Sequence, residues 1–347
     1  MQGTFNEIIR GSFEWTKTIL LNPFKIKKWF FLTLIALLAA DISGFNFNIN
    51  LPFKGGEKEA VFDKEKSLES AQCVAEKQIL HSELIKKNAA LVIAICVILI
   101  ILVVIVFILW MWIYSRFSFV FTAAIIRNDA SIKKPFREFK KVGNSYFKFN
   151  FLFTAVIFAL ILVFAGILIA GIFILKDAPV LLNILLAVLW GILFVSVLCI
   201  MAVIGVVIRD LVSPVMMRND VCFVEAWKLI SPVIFTDKVS FIKYFLIKVG
   251  LRILAGMAGG IAALCVMFAM MIPIGLIGVI LYAVSHLIPE ALKWGYFGLL
   301  ILFGIICLLF VIFIINSILL PIPVFFKTFS LKFLARLDQR QNLFRIG

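Results

Sequence analysis

Apolar runs of 18 or more residues without a charge recur along this 347-residue chain, and nothing else constrains its fold as strongly. A run of about 20 apolar residues matches the hydrocarbon thickness of a bilayer. Backbone N–H and C=O groups cannot go unpaired there, so continuous runs of this length are helices, and a barrel would show alternating segments of about ten residues instead. The composition agrees. The chain is 63% hydrophobic and 15% charged, against about 45–50% and about 25% in ordinary soluble domains. A soluble enzyme, a disordered chain and a secreted disulfide scaffold are thereby excluded.

The runs predict six spans, at about 29–45, 89–113, 151–175, 180–208, 253–283 and 297–320. Lysine and arginine orient them. Segments 1–28, 116–150, 209–252 and 327–347 hold 25 of the 34 basic residues and 9 of the 19 acidic ones. The opposite side is balanced, with seven charges of each sign in 46–88. By the positive-inside bias both termini are expected in the cytoplasm. The first run reads as a span and not as a signal peptide, because 28 residues precede it and its removal would break the charge pattern. The same clustering assigns the basic excess to topology and anionic lipid headgroups, with no nucleic-acid motif present.

An internal repeat is expected. Arg127-Asn128-Asp129 recurs 91 residues later as Arg218-Asn219-Asp220, and Ile132, Phe136 and Phe139 fall on Phe223, Trp227 and Ile230 with helical spacing. Ala124 to Arg127 matches Val215 to Arg218 and, 109 further on, Val324 to Lys327. The stretches 131–148, 222–236 and 5–20 are amphipathic and predict interfacial helices; in 5–20, Phe5, Ile9, Phe13 and Leu20 share the apolar side. The expected fold is all-α, six spans in three hairpins, each preceded by an interfacial helix. Its units are 1–115 with an outer loop 46–88, then 116–208, 209–326 and a tail 327–347. Gly256 with Gly260, Ala255 with Gly259 and Gly166 with Ala170 have the spacing that lets helix backbones approach. Pro273 leaves two options for 253–283, one kinked helix or a helix with a re-entrant segment.

No catalytic, cofactor-binding or metal site is expected. HExxH, GxSxG, the phosphate-binding glycine loops and CxxC are all absent, and the two histidines, His81 and His286, lie in different outer loops. What remains are polar residues at membrane depth: Asp41, Asn183, Arg209, Asp210 and Asn316. Each reads either as a boundary or helix-contact group or as part of a polar path. The repeated cations Arg127, Arg218 and Lys327 are expected to form a ring for lipid phosphates, or else to act only as topological signals.

The run Arg209-Asp-Leu-Val-Ser-Pro-Val-Met-Met-Arg218, the segment Glu225-Ala-Trp-Lys228 and the stretch Pro321 to Asp338 resemble a family of uncharacterised bacterial six-span membrane proteins. That family is similar in layout to the membrane domain of some glycerophosphoryl diester phosphodiesterases. The resemblance spans roughly 110–340 and implies an inner-membrane helical-hairpin protein. It carries over no catalytic residue, because that chemistry resides in a separate domain. The expected function is transport or lipid handling, with anionic lipids as partners; a non-transporting structural or partner-binding component, or a homo-oligomer, is the alternative.

Overall fold

The computed structural model describes residues 5–39, 89–174, 179–285 and 288–341. Among the described residues every regular element is helical. In chain order these are α1 (Phe5–Leu21), α2 (Ile26–Leu38), α3 (Ala89–Arg127), α4 (Lys133–Glu138), α5 (Lys140–Ile174) and α6 (Val180–Val207). A π-helical turn, Ile208–Val212, leads into α7 (Ser213–Asn219), followed by α8 (Phe223–Thr236), α9 (Lys238–Ser285), α10 (Glu290–Leu319) and α11 (Pro321–Gln341).

Five helical stretches are long and apolar enough to cross a membrane: Ile93–Arg127, Lys140–Gly171, Leu181–Asn219, Lys238–Ser285 and Gly295–Leu319. The expected span at 29–45 is described only to residue 39, within the 13-residue α2. Pro273 lies inside α9, which runs unbroken over 48 residues. The re-entrant option for 253–283 is thereby removed.

Chain contacts define two compact units, Met1–Phe45 with Met111–Gly347, and Asn46–Trp110. Of the second, the described part is residues 89–110, an uncharged stretch of α3. In the first, the buried residues gather at the ends of the apolar helices and not along them. One cluster joins Ile8 of α1, Phe119 of α3, Tyr146 of α5, Leu211, Met216 of α7, Ile230 of α8, Tyr244 of α9 and Phe333 of α11. A second joins Ile19, Leu32, Ile35, Phe121, Ile125 and Val324. The most apolar windows of α5 and α9 bury no residue at all. Lipid tails are as apolar as leucine, so apolar helices have no hydrophobic reason to bury one another, whereas amphipathic segments near water do.

This distribution corrects several expectations. Residues 116–127 and 209–219 are helical continuations of the spans, and α11 occupies most of the stretch expected as a tail. Val324, Phe329, Ser330, Phe333 and Leu334 of α11 are all nearly inaccessible. The amphipathic stretch 222–236 is indeed a helix, α8, but Phe223, Ala226, Ile230 and Val233 turn into the protein core and not toward lipid. The stretch 131–148 is not one helix. It breaks at Phe139 (φ −91°, ψ 24°), and residues 140–148 extend α5 because Val142 and Tyr146 bury there. In α1 the buried face is Ile8, Ser12, Thr16, Ile19 and Leu20, while Phe13 is 65% exposed. Ser12 and Thr16 can be buried because each hydroxyl donates to the carbonyl four residues back, at 2.6 and 2.7 Å.

The repeat also registers differently in space. α3 and α7 both end in a left-handed residue with a six-to-one closing bond, Asp129 N–H to Ala124 O at 3.2 Å and Val221 N–H to Met216 O at 3.3 Å. The left-handed residues are Asn128 (φ 53°) and Asp220 (φ 49°), 92 positions apart and not 91. Asn and Asp both tolerate this conformation, so the helix can stop on either member of the triplet. Gly166 and Gly256 have nothing within 4 Å of an added Cβ and mediate no close approach among the described residues. Gly259 is buried, near Ala263, which packs with Ile315 and Leu319 of α10.

Candidate functional site

Asp210, which the sequence marks as a polar residue at membrane depth, is a buried carboxylate of the first unit. It sits in the π turn, 4% exposed. Its carboxylate forms an ion pair with the Lys248 ammonium, 2% exposed, on α9. One helical turn earlier on α9, the Tyr244 hydroxyl lies 3.1 Å from Lys248 Nζ and 3.4 Å from Asp210 Oδ2. α11 supplies Ser330, whose Oγ is 2.9 Å from both Lys248 Nζ and Tyr244 Oη.

Donor accounting fixes the network. Lys248 has three N–H donors, one each for Asp210, Tyr244 and Ser330. Ser330 donates to Phe326 O at 2.9 Å, so it accepts from Tyr244. Phe329 and Phe333 stack on Tyr244, with centroids 5.4 and 4.2 Å away and planes within 15°. A charge pair taken out of water is tolerable only when its remaining hydrogen-bonding positions are satisfied, and here all three Lys248 donors are used. The arrangement clamps three elements at one point. Arg209, next in sequence, diverges: its guanidinium lies 5.8 Å from the Tyr114 ring, and its carbonyl accepts from Lys327 Nζ at 3.3 Å.

The three expected headgroup cations do not form an exposed ring. Arg127 makes a two-pronged contact with Glu138 of α4, with one arm at 2.8 Å. This hydrogen bond holds the Glu138 carboxyl below its ordinary pKa, against a smaller opposing effect of burial. Lys327 is 2% exposed, because α11 is a core helix. Arg127 and Arg218 are both exposed. Asn183 lies in the first turn of α6, its N–H 3.2 Å from Pro179 O. Asn316 donates back to Ile312 O at 2.7 Å. Neither meets Asp210 or the three cations through any contact described here, and Asp41 lies outside the described residues. Among the described residues no three metal-ligating side chains come together.

Two features escaped the sequence reading. Lys248 counts there only as a topological charge, although Tyr244 and Lys248 share a helical face at four-residue spacing. Arg116 is a second buried cation, 8% exposed. Its guanidinium lies 4.3 Å from the Trp112 ring and 5.0 Å from Phe136, and donates to Asn144 Oδ1 at 2.9 Å. An Arg carried on aromatic faces needs no carboxylate. Gly143 permits the approach, because a Cβ there would lie 3.1 Å from Arg116 Cγ.

A third group lines a cavity of about 660 Å³ between the approach to α2 and the turn after α3. Lys28 is fixed in its wall, with Nζ 2.6 Å from Ile19 O and 2.7 Å from Asn128 Oδ1. Burial lowers the Lys28 pKa from its ordinary value, the Asp129 carboxylate opposes this, and Lys25 adds to it.

Helices of this length and apolarity place the chain in the class of multi-pass helical membrane proteins. More narrowly, it belongs to a family of unknown function, DUF7544, whose model matches residues 7–344. Neither the curated proteins nor the solved structures contain a match.

Proposed function

We propose that the protein handles lipid in a bacterial inner membrane, with six spans in three hairpins and both termini in the cytoplasm. The observation that carries this reading is the contrast within one unit. The amphipathic helix ends pack into a polar-pinned core, while the most apolar windows of α5 and α9 bury nothing against the chain. Long unburied apolar faces beside a basic, rigid cap suit acyl chains on one side and anionic headgroups on the other. The absence of charged residues from most of the span interiors favours a lipidic cargo over an ion. Purified protein in liposomes carrying a headgroup-labelled fluorescent phospholipid tests the reading: leaflet exchange should exceed that of empty liposomes. Equal rates would sink it.

A partner-binding role is the second reading. The same unburied faces of α5 and α9 would then pack on another membrane protein or a second copy. Cross-linking in native membranes separates the two, since a lipid-handling monomer gives no discrete higher species.

A further inference from the structure

Among the described residues, the cavity beside α2 gathers more positive than negative charge. Lys25, Lys27, Lys28 and Lys133 line it, against one carboxylate, Asp129. Three of these lysines stand at the wrong end of a helix. Lys25 is the N-cap of α2, Lys27 and Lys28 fall in its first turn, no side chain caps it, and no acidic residue occupies that turn. A helix N-terminus carries about half a positive charge and favours acids, so cations gathered there repel both one another and the helix end. An anion would relieve that repulsion and suit the positive end of the helix.

The site is built and not merely charged. Lys28 spends two of its three donors on Ile19 O and Asn128 Oδ1, which fixes the ammonium and leaves one N–H for a ligand. Asn128 holds its acceptor in place through the left-handed turn that ends α3 (φ 53°). The exposed lysines then add mobile point charges. Phe31, 43% exposed, gives the cavity an apolar wall where the α2 run begins. A volume of about 660 Å³ exceeds what a phosphate alone requires and accommodates an esterified one.

We propose that this cavity binds the phosphate of an anionic phosphate ester, either a phospholipid headgroup or a soluble glycerol phosphate. The phospholipid source rests on the lipid-handling reading; the phosphate site does not.

The test uses the full chain in detergent, with binding of phosphatidylglycerol, phosphatidylcholine and glycerol 3-phosphate followed by native mass spectrometry. The wild type should prefer phosphatidylglycerol to phosphatidylcholine. The Lys25→Gln, Lys27→Gln, Lys133→Gln variant, which keeps Lys28, should lose at least about tenfold in affinity. Asp129→Asn should bind more tightly, a gain that misfolding cannot mimic. Glycerol 3-phosphate binding with the same dependence on these variants, without phosphatidylglycerol binding, would support the site and assign it to a soluble ester. Unchanged affinity in the triple variant, or no gain in Asp129→Asn, overturns the site. Leaflet exchange that persists in the triple variant would then leave lipid handling standing without it. Conversely, variant-sensitive binding with no leaflet exchange removes lipid handling and keeps the site.

Discussion

Among the described residues, Asp210 and Lys248 differ from the other charged side chains in being an ion pair buried together, so removing one is unlike removing both. Asp210→Asn leaves an ammonium without its counter-charge in a nearly dry site, and Lys248→Met leaves a carboxylate. Each single change should cost about 3–5 kcal/mol, read as a lower denaturation midpoint in detergent. The double variant Asp210→Leu, Lys248→Met should cost less than either single change, because neither charge is then stranded. Additive losses would show that the pair is not coupled. The Arg127–Glu138 pair is of the other kind, with side chains 42% and 39% exposed. Because the folded state depresses the Glu138 pKa, its contribution is fully present above the ordinary carboxylate range. It is lost as pH falls through the lowered value. Melting temperature measured down the acid limb should fall less steeply in Glu138→Gln than in the parent.

At the scale of helices, Gly143 and Gly256 have opposite roles. Gly143 faces Arg116, so Gly143→Ala sets a Cβ 3.1 Å from Arg116 Cγ and forces α3 and α5 apart or Arg116 off its aromatic shelf. Gly256 has open space around it, so Gly256→Ala should be neutral or stabilising by up to about 1 kcal/mol through helix propensity. Thermal unfolding of the two variants in one detergent decides this, and a larger loss from Gly256→Ala would place an unseen contact on α9. α2 is tied to α10 by Trp29 Nε1 donating to Ser317 O at 3.0 Å and by Phe30 packing 4.8 Å from Phe313. The small-residue spacing was legible in the sequence. Which glycine meets a neighbour was not, because helical periodicity gives a face and leaves its partner undefined.

For the whole molecule, reporter fusions after residue 347 and within 55–85 should report cytoplasm and exterior respectively. An exterior C-terminus would reverse the orientation drawn from the basic clusters and take the lysine cavity off the cytoplasmic leaflet with it. Much of the folded core sits in the segments that charge alone assigns to the cytoplasm, so those segments are structural elements whichever side they face. Lys248 and Lys327 belong to this basic side by count, yet each is 2% exposed.

The sequence by itself determined the class of fold, the approximate positions of five apolar spans and the helical nature of 222–236. These follow from local quantities: run length against bilayer thickness, and apolar spacing against the helical repeat. It also singled out Asp210, since a carboxylate closing an apolar run is locally anomalous. The tertiary structure alone decided that α11 is a core helix and that α8 turns its apolar stripe into protein instead of lipid. It alone gave Asp210 its partner Lys248, 38 residues away, and gave Lys248 the Ser330 hydroxyl, on a third element. An amphipathic helix presents the same pattern to a bilayer and to a protein core, because both are apolar. Only the packed arrangement of several distant segments distinguishes them.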